Sequence, residues 1–195
     1  EVMILADDSA PIAHIAADML AQAEHDEQAQ SIAVLIGKAG SPKRVAALLE
    51  EIKRRIDASP RAAIIRKSLR DRGAIVTVAN ADAAVELAAL KNPEHLEIAT
   101  RSPARLARRV RCAGSIFLGH YTPEPLGDYV AGPNHVLPTG GTARFASALS
   151  VDDFVRMTQI IQSSRRGMKL LAKATITLAE TEGLVAHADT IRARL

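Results

Sequence analysis

The chain has 195 residues, enough for one domain plus an appendage and for a core that needs no covalent staples. Its 25 basic and 22 acidic residues leave a formal charge of +3, too mild to demand a nucleic-acid partner; 48% hydrophobic and 24% charged residues are ordinary globular values. Aromatics are only 3% with no Trp, so the core must come from Ala, Leu, Ile and Val, and the single Cys112 excludes both an intrachain disulfide and a cysteine-rich metal site.

Glu1-Val2-Met3-Ile4-Leu5-Ala6 reads as a buried strand, so the chain is expected to be a piece of something longer. Pro11 suits the start of a helix, which should run to about His25, followed by a strand at Ser31–Ile36. Ser41-Pro42 is a cap-plus-proline start, and Val45, Leu48, Leu49, Ile52 and Ile56 recur at helical spacing. Ser59-Pro60 opens a further helix that Gly73 should end as a C-cap. Next come a strand at Ala74–Val78, a helix at Ala81–Lys91, a short strand at residues 96–99, a helix from Ser102-Pro103 to about Val110, and a strand at Ser115–Leu118. Apolar strands alternating with helices of this length predict an α/β fold with a largely parallel sheet flanked by helices, an incomplete Rossmann-like domain.

From Gly119 to Gly141 the chain is rich in Pro and Gly and reads as a long irregular segment, of a length that is usually functional or disordered. It carries His120, Asp128, Tyr129, Asn134 and His135, which favours function. Ser150-Val151-Asp152-Asp153 reads as a helix start, with helical periodicity from there to the end, broken near Arg165–Gly167 and at Gly183. The expected division is an α/β domain at residues 1–148 and a C-terminal helical tail at residues 149–195, the tail too short to bury a core alone. No apolar run approaches the ~20 residues needed to cross a bilayer, so no membrane partner is expected.

Gln22 and His25 stand three apart at the end of the first helix, on one face, and His is the commonest metal-ligating side chain. A helix-terminal His interacting with the helix dipole has the same appearance. Glu94-His95 enters a strand, where fold logic does not single it out, since open α/β sheets gather ligands at the carboxyl ends. A carboxylate beside an imidazole nonetheless suits a division of acid and base roles, although a surface turn would also look like this. Asp128 and His135 sit in the irregular segment, open to reading as a turn-forming Asp and a solvated His. Glu182 and His187, five apart, resemble residues of a surface helix. No G-x-G-x-x-G or G-x-S-x-G occurs, Gly37-Lys38-Ala39-Gly40 lacks the P-loop spacing, and Arg101, Arg105, Arg108, Arg109 and Arg111 are best read as a solvated helix face.

The stretch Gly127-Asp128-Tyr129-Val130-Ala131-Gly132-Pro133-Asn134-His135-Val136-Leu137-Pro138-Thr139-Gly140-Gly141-Thr142-Ala143-Arg144-Phe145 resembles the signature of the histidinol dehydrogenases. So do Ala21-Gln22-Ala23-Glu24-His25-Asp26, Pro93-Glu94-His95-Leu96, Gly114–Gly119 and Glu182-Gly183-Leu184-Val185-Ala186-His187, in family order over essentially the whole chain. Two departures, Ala10 and His14, touch none of the matched residues.

The resemblance implies a cytoplasmic enzyme of histidine biosynthesis that oxidises L-histidinol to L-histidine in two NAD-dependent steps through an aldehyde. It places one Zn2+ per subunit on Gln22, His25, Asp128 and His187, the acid/base pair on Glu94 and His95, and further substrate contacts on His135 and Glu182. It also implies a homodimer in which the tail brings His187 and Glu182 to the neighbouring subunit's site. NAD is expected to be held mainly by an N-terminal half outside this chain, leaving the chain inactive by itself. Two alternatives are a related dehydrogenase of another small polyol and a non-catalytic zinc-binding dimer module.

Overall fold

Five apolar segments form one all-parallel sheet in the computed structural model, which describes residues 1–195. They are β1 (Val2–Ala6), β2 (Ser31–Ile36), β3 (Ala74–Val78), β4 (His95–Ala99) and β5 (Ser115–Leu118), in the spatial order β3-β2-β1-β4-β5. The α/β, parallel-sheet expectation is met. Alternate residues of β1 feed two separate cores, as the two-residue period of a strand requires. Val2, Ile4 and Ala6 join Ala33 and Leu35 beneath α1 (Ile12–Ala23), α2 (Pro42–Ala58) and α3 (Ala62–Arg72). Met3 and Leu5 join Val34, Leu96 and Ile98 beneath α4 (Ala81–Lys91) and α5 (Pro103–Ala107). Helices therefore cover both faces, and β1, in the middle, is buried on both.

Several boundaries differ from the sequence reading. Helix α1 ends at Ala23, and the turn beyond it closes when the His25 N–H donates to the Gln22 carbonyl at 3.3 Å. Helix α3 starts at Ala62, because the Ser59 hydroxyl accepts the Arg61 N–H and turns the chain first. Gly73 does cap α3 but with φ −79°, not in the left-handed region; a Cβ there would stand 2.5 Å from the Leu69 carbonyl oxygen. Strand β4 begins one residue early, at His95, and α5 ends at Ala107.

The segment 119–141 is not wholly irregular. It contains a short helix, α6 (Glu124–Tyr129), and Asp128 lies on it. Pro123, Pro125 and Gly127 hide that helix from propensity, and tertiary contacts hold it instead. The Glu97 carboxylate accepts the Glu124 N–H at 2.9 Å, and Gly127 lies so close to Phe117 that a Cβ would meet the ring at 2.7 Å.

The chain divides into two compact units, Glu1–Asp153 and Phe154–Leu195. The expected helix at residue 150 is a single 3₁₀ turn, Val151–Phe154. Its caps do form, with Ser150 N–H donating to Asp153 and Asp152 N–H to the Ser150 hydroxyl. Residues 155–164 then have no regular structure, and the apolar Val155, Met157, Ile160 and Ile161 are exposed. Helix α7 (Arg165–Thr181) starts where Ser164 accepts the Gly167 N–H, and Gly183, at φ +76°, turns the chain into α8 (Val185–Arg192). The second unit buries only Ala172 and Ala188 of its hydrophobic side chains.

Candidate metal centre

In a parallel sheet each helix returns antiparallel to the strands, so α1 delivers its C-terminal end to the amino edge of the sheet. Val2 is in register with both Ser31 and His95, which makes His95 a residue of that same edge. His95 and Glu97 alternate with Leu96 and Ile98, and therefore face the α1 side of β4. Helix α6 lies on this side too, since Phe117 is in register with Glu97 and Gly127 rests on its ring.

The three elements bring six polar side chains together in pairs. Asp18 and Gln22 are one turn apart on α1, His95 and Glu97 share one face of β4, and Glu124 and Asp128 are one turn apart on α6. Just beyond α1, His25 offers a ring nitrogen that lies with carboxylate oxygens of Glu124 and Asp128 within 4.8 Å of one another. The His95 Nε2 stands 4.0 Å from both Glu124 Oε1 and Asp128 Oδ1. The His95 Nδ1 is 3.1 Å from the Glu1 carbonyl oxygen, a contact that calls for Nδ1–H as donor and leaves the Nε2 lone pair facing the two carboxylates. Glu94 is half-buried at the same edge.

Five buried side-chain polar atoms have no hydrogen-bond partner; two of them, His95 Nε2 and Glu124 Oε2, belong to this cluster, and a third, Gln22 Oε1, is carried one helical turn after Asp18 on α1. Native structures leave few such atoms orphaned, so their concentration marks a place for something that binds oxygen and nitrogen donors. The electrostatics agree. Burial pulls the His95 imidazole below its ordinary value, against the opposing charge of Glu94, and so keeps it neutral near pH 7. Burial and the hydrogen bond with Asp128 push the Glu124 carboxyl up to about 8. Crowded carboxyl groups that resist ionisation are what a divalent cation relieves. An amide oxygen, an imidazole and carboxylates form an N/O donor set suited to zinc, so the residues fit that metal.

The structure thus gathers His25 and Asp128 with His95, and orphans the Gln22 oxygen. It does not place His135 in a contact, because that imidazole is exposed and makes no hydrogen bond. Glu182, at the C-terminal cap of α7, and His187, on α8, belong to the second unit and are exposed there. Glu124 was missed in the sequence. Its only signal was an acidic residue one helical turn before Asp128, and Pro123 and Pro125 obscured the helix. The carboxyl edge, where fold logic would seek a ligand, has a crevice lined by Asp7, Thr100, Arg101 and Arg105, but none of the expected side chains.

A doubly covered parallel sheet with a cluster of nitrogen and oxygen donors able to hold a metal ion, beside a buried histidine, defines a class: an α/β protein with a candidate metal centre. The sequence profile of the family described as histidinol dehydrogenase matches residues 1–195, and the chain belongs to that family. A histidinol dehydrogenase from Nitratidesulfovibrio vulgaris is 51% identical over 190 residues, covering 97% of this chain and 43% of the relative. One from Sulfurimonas denitrificans is 47% identical over 195 residues, covering 100% and 44%. The crystal structure of histidinol dehydrogenase from Elizabethkingia anophelis superposes with a TM-score of 0.87 at 30% identity, covering 99% of this chain and 43% of that one. The chain therefore spans somewhat under half the length of the relatives it matches.

Proposed function

We propose that this chain is the zinc- and substrate-binding part of an NAD-linked dehydrogenase that oxidises L-histidinol to L-histidine by way of L-histidinal. The observation that carries the proposal is the convergence of His25, Glu124 and Asp128 ligand atoms within 4.8 Å, with the orphaned His95 Nε2 4.0 Å from Glu124 and Asp128. Gln22, His25 and Asp128, with His187 from a second subunit, are the zinc ligands. Bound there, zinc supplies a fixed positive template for the substrate's imidazole and amine. NAD, held mainly by the part of a family-length protein outside this chain, is the hydride acceptor.

His95 performs the proton transfers. Its Nε2, neutral and unpartnered, takes the hydroxyl proton of the substrate as the carbinol hydrogen leaves as hydride. Glu94, the neighbouring carboxylate, takes a proton from the water that adds to the aldehyde carbon in the second oxidation. His135 and Glu182 supply polar contacts to the substrate, Glu182 from the partner subunit. Homodimerisation through the C-terminal unit is thus part of the proposal.

The test is turnover by the family-length protein with zinc. NADH formation that depends on L-histidinol and ends in L-histidine is the expected result. NADH formation with a sulfonated propanediol and none with histidinol would replace the substrate. Zinc binding without turnover of either would leave a non-catalytic module.

A further inference from the structure

Beneath the metal centre lies a second tier of carboxyl groups that the proposed chemistry does not use. Glu97 is 4% exposed, in the middle of β4, in register with Ile4 and Phe117. A carboxyl group at that depth in a strand flanked by Leu96 and Ile98 costs stability unless its oxygens are engaged. They are. Oε1 accepts the Glu124 N–H, an amide at the N-terminal end of α6 that has no partner within its own helix. The Asp18 carboxyl on α1 stands against it, close enough for the two to share a proton. Burial raises both groups above their ordinary values, Glu97 to about 9, which is the condition under which two such carboxyl groups bond to each other instead of repelling.

Each member of this lower tier is covalently close to a member of the site. Asp18 precedes Gln22 by one turn of α1, Glu97 follows His95 by two residues of β4, and the Glu124 N–H opens the helix that carries Asp128. Three elements that share no backbone hydrogen bonding near the site are joined there by one side chain.

We propose that Glu97, tied to Asp18, is a positioning residue that cross-braces α1, β4 and α6 and so fixes the spacing between Gln22, His95 and Asp128. This rests on the metal-site reading, but the brace has consequences of its own. It requires an acceptor of glutamate length at position 97. Glutamine keeps the length and an oxygen for the Glu124 N–H, and its amide can donate to Asp18. Leucine keeps the volume and removes the acceptor, while aspartate keeps the carboxyl group but falls short.

The experiment compares wild type, Glu97→Gln, Glu97→Leu and Glu97→Asp in the family-length protein. Amide hydrogen exchange over residues 124–131 is measured on the metal-free form, and zinc affinity by competition with a chromophoric chelator. Expected is near wild-type protection and zinc affinity in Glu97→Gln. Glu97→Leu should lose protection of the α6 amides and bind zinc roughly 10-fold to 100-fold more weakly, the range seen when groups behind metal ligands are altered. If Glu97→Leu does not fold, Glu97→Asp reads the same two quantities. Unchanged exchange in the leucine or aspartate variant overturns the brace, as does a glutamine variant as impaired as the others. Failure of the wild type to bind zinc, with the exchange pattern intact, removes the metal reading and leaves the brace standing.

Discussion

His95 illustrates how one side chain acquires a role from its surroundings. The Glu1 carbonyl fixes Nδ1 as a donor, so the free lone pair is on Nε2, and burial makes the protonated form costly. In the family-length protein, His95→Asn is expected to lower kcat by about 10²-fold to 10⁴-fold, with a smaller change in KM. In the proposed role the neutral imidazole is the working form, and since burial depresses its pKa, activity should fall as pH drops through a value below about 6.5. That acid limb should vanish in the variant, as a pH–rate profile would show. Gln22, His25, Glu94 and Asp128 were legible as residue types with chemical promise, but each had an equally good bland reading by itself. The structure brings two of them, His25 and Asp128, together, and such convergence is not a property of sequence spacing. Glu97 was illegible for another reason: a lone acid in an apolar run looks like an edge position until the partner that engages it is seen.

At the scale of elements, α6 is held by its neighbours more than by its own residues. Gly127→Ala should drive the added methyl against Phe117, displace α6 and cost about 1–3 kcal/mol, with Phe117→Leu restoring much of the loss in urea denaturation. The raised carboxyl of Glu97 has a sign that can be worked out. Its folded pKa, about 9, exceeds its unfolded value of about 4.3, so the folded state binds the extra proton. The associated stability is complete below the unfolded value and is lost as pH climbs towards 9. Urea denaturation of the metal-free protein should therefore show falling stability from about pH 5 to 9, and Glu97→Gln should flatten that slope. The five strands and the long helices were legible because two-sided burial and 3.6-residue periodicity leave plain patterns. Helix α6 and the stretch 155–164 were not. The first depends on distant contacts, and the second has apolar residues whose periodicity suggests a helix that nothing in its own unit supports.

For the whole molecule, a ligand that binds only the folded state must raise its stability. Zinc at about 100 times its dissociation constant should add about 2.7 kcal/mol, a shift that thermal melts with and without chelator will register. The second unit, residues 154–195, leaves Leu170, Leu171, Leu178 and Val185 exposed. Too small to bury a core, it is expected to give a weak, non-cooperative melt by circular dichroism when isolated as a dilute peptide. The amino-edge location of the metal centre carries a final implication. Main helices α1 and α4 both terminate at that rim, so their partial negative poles face the same region as the carboxylates. The backbone itself makes this rim attractive to positive charge and inhospitable to phosphate. If a dinucleotide is the hydride acceptor, its pyrophosphate must be neutralised elsewhere, while the pyridinium of its oxidised nicotinamide is the end that this rim favours.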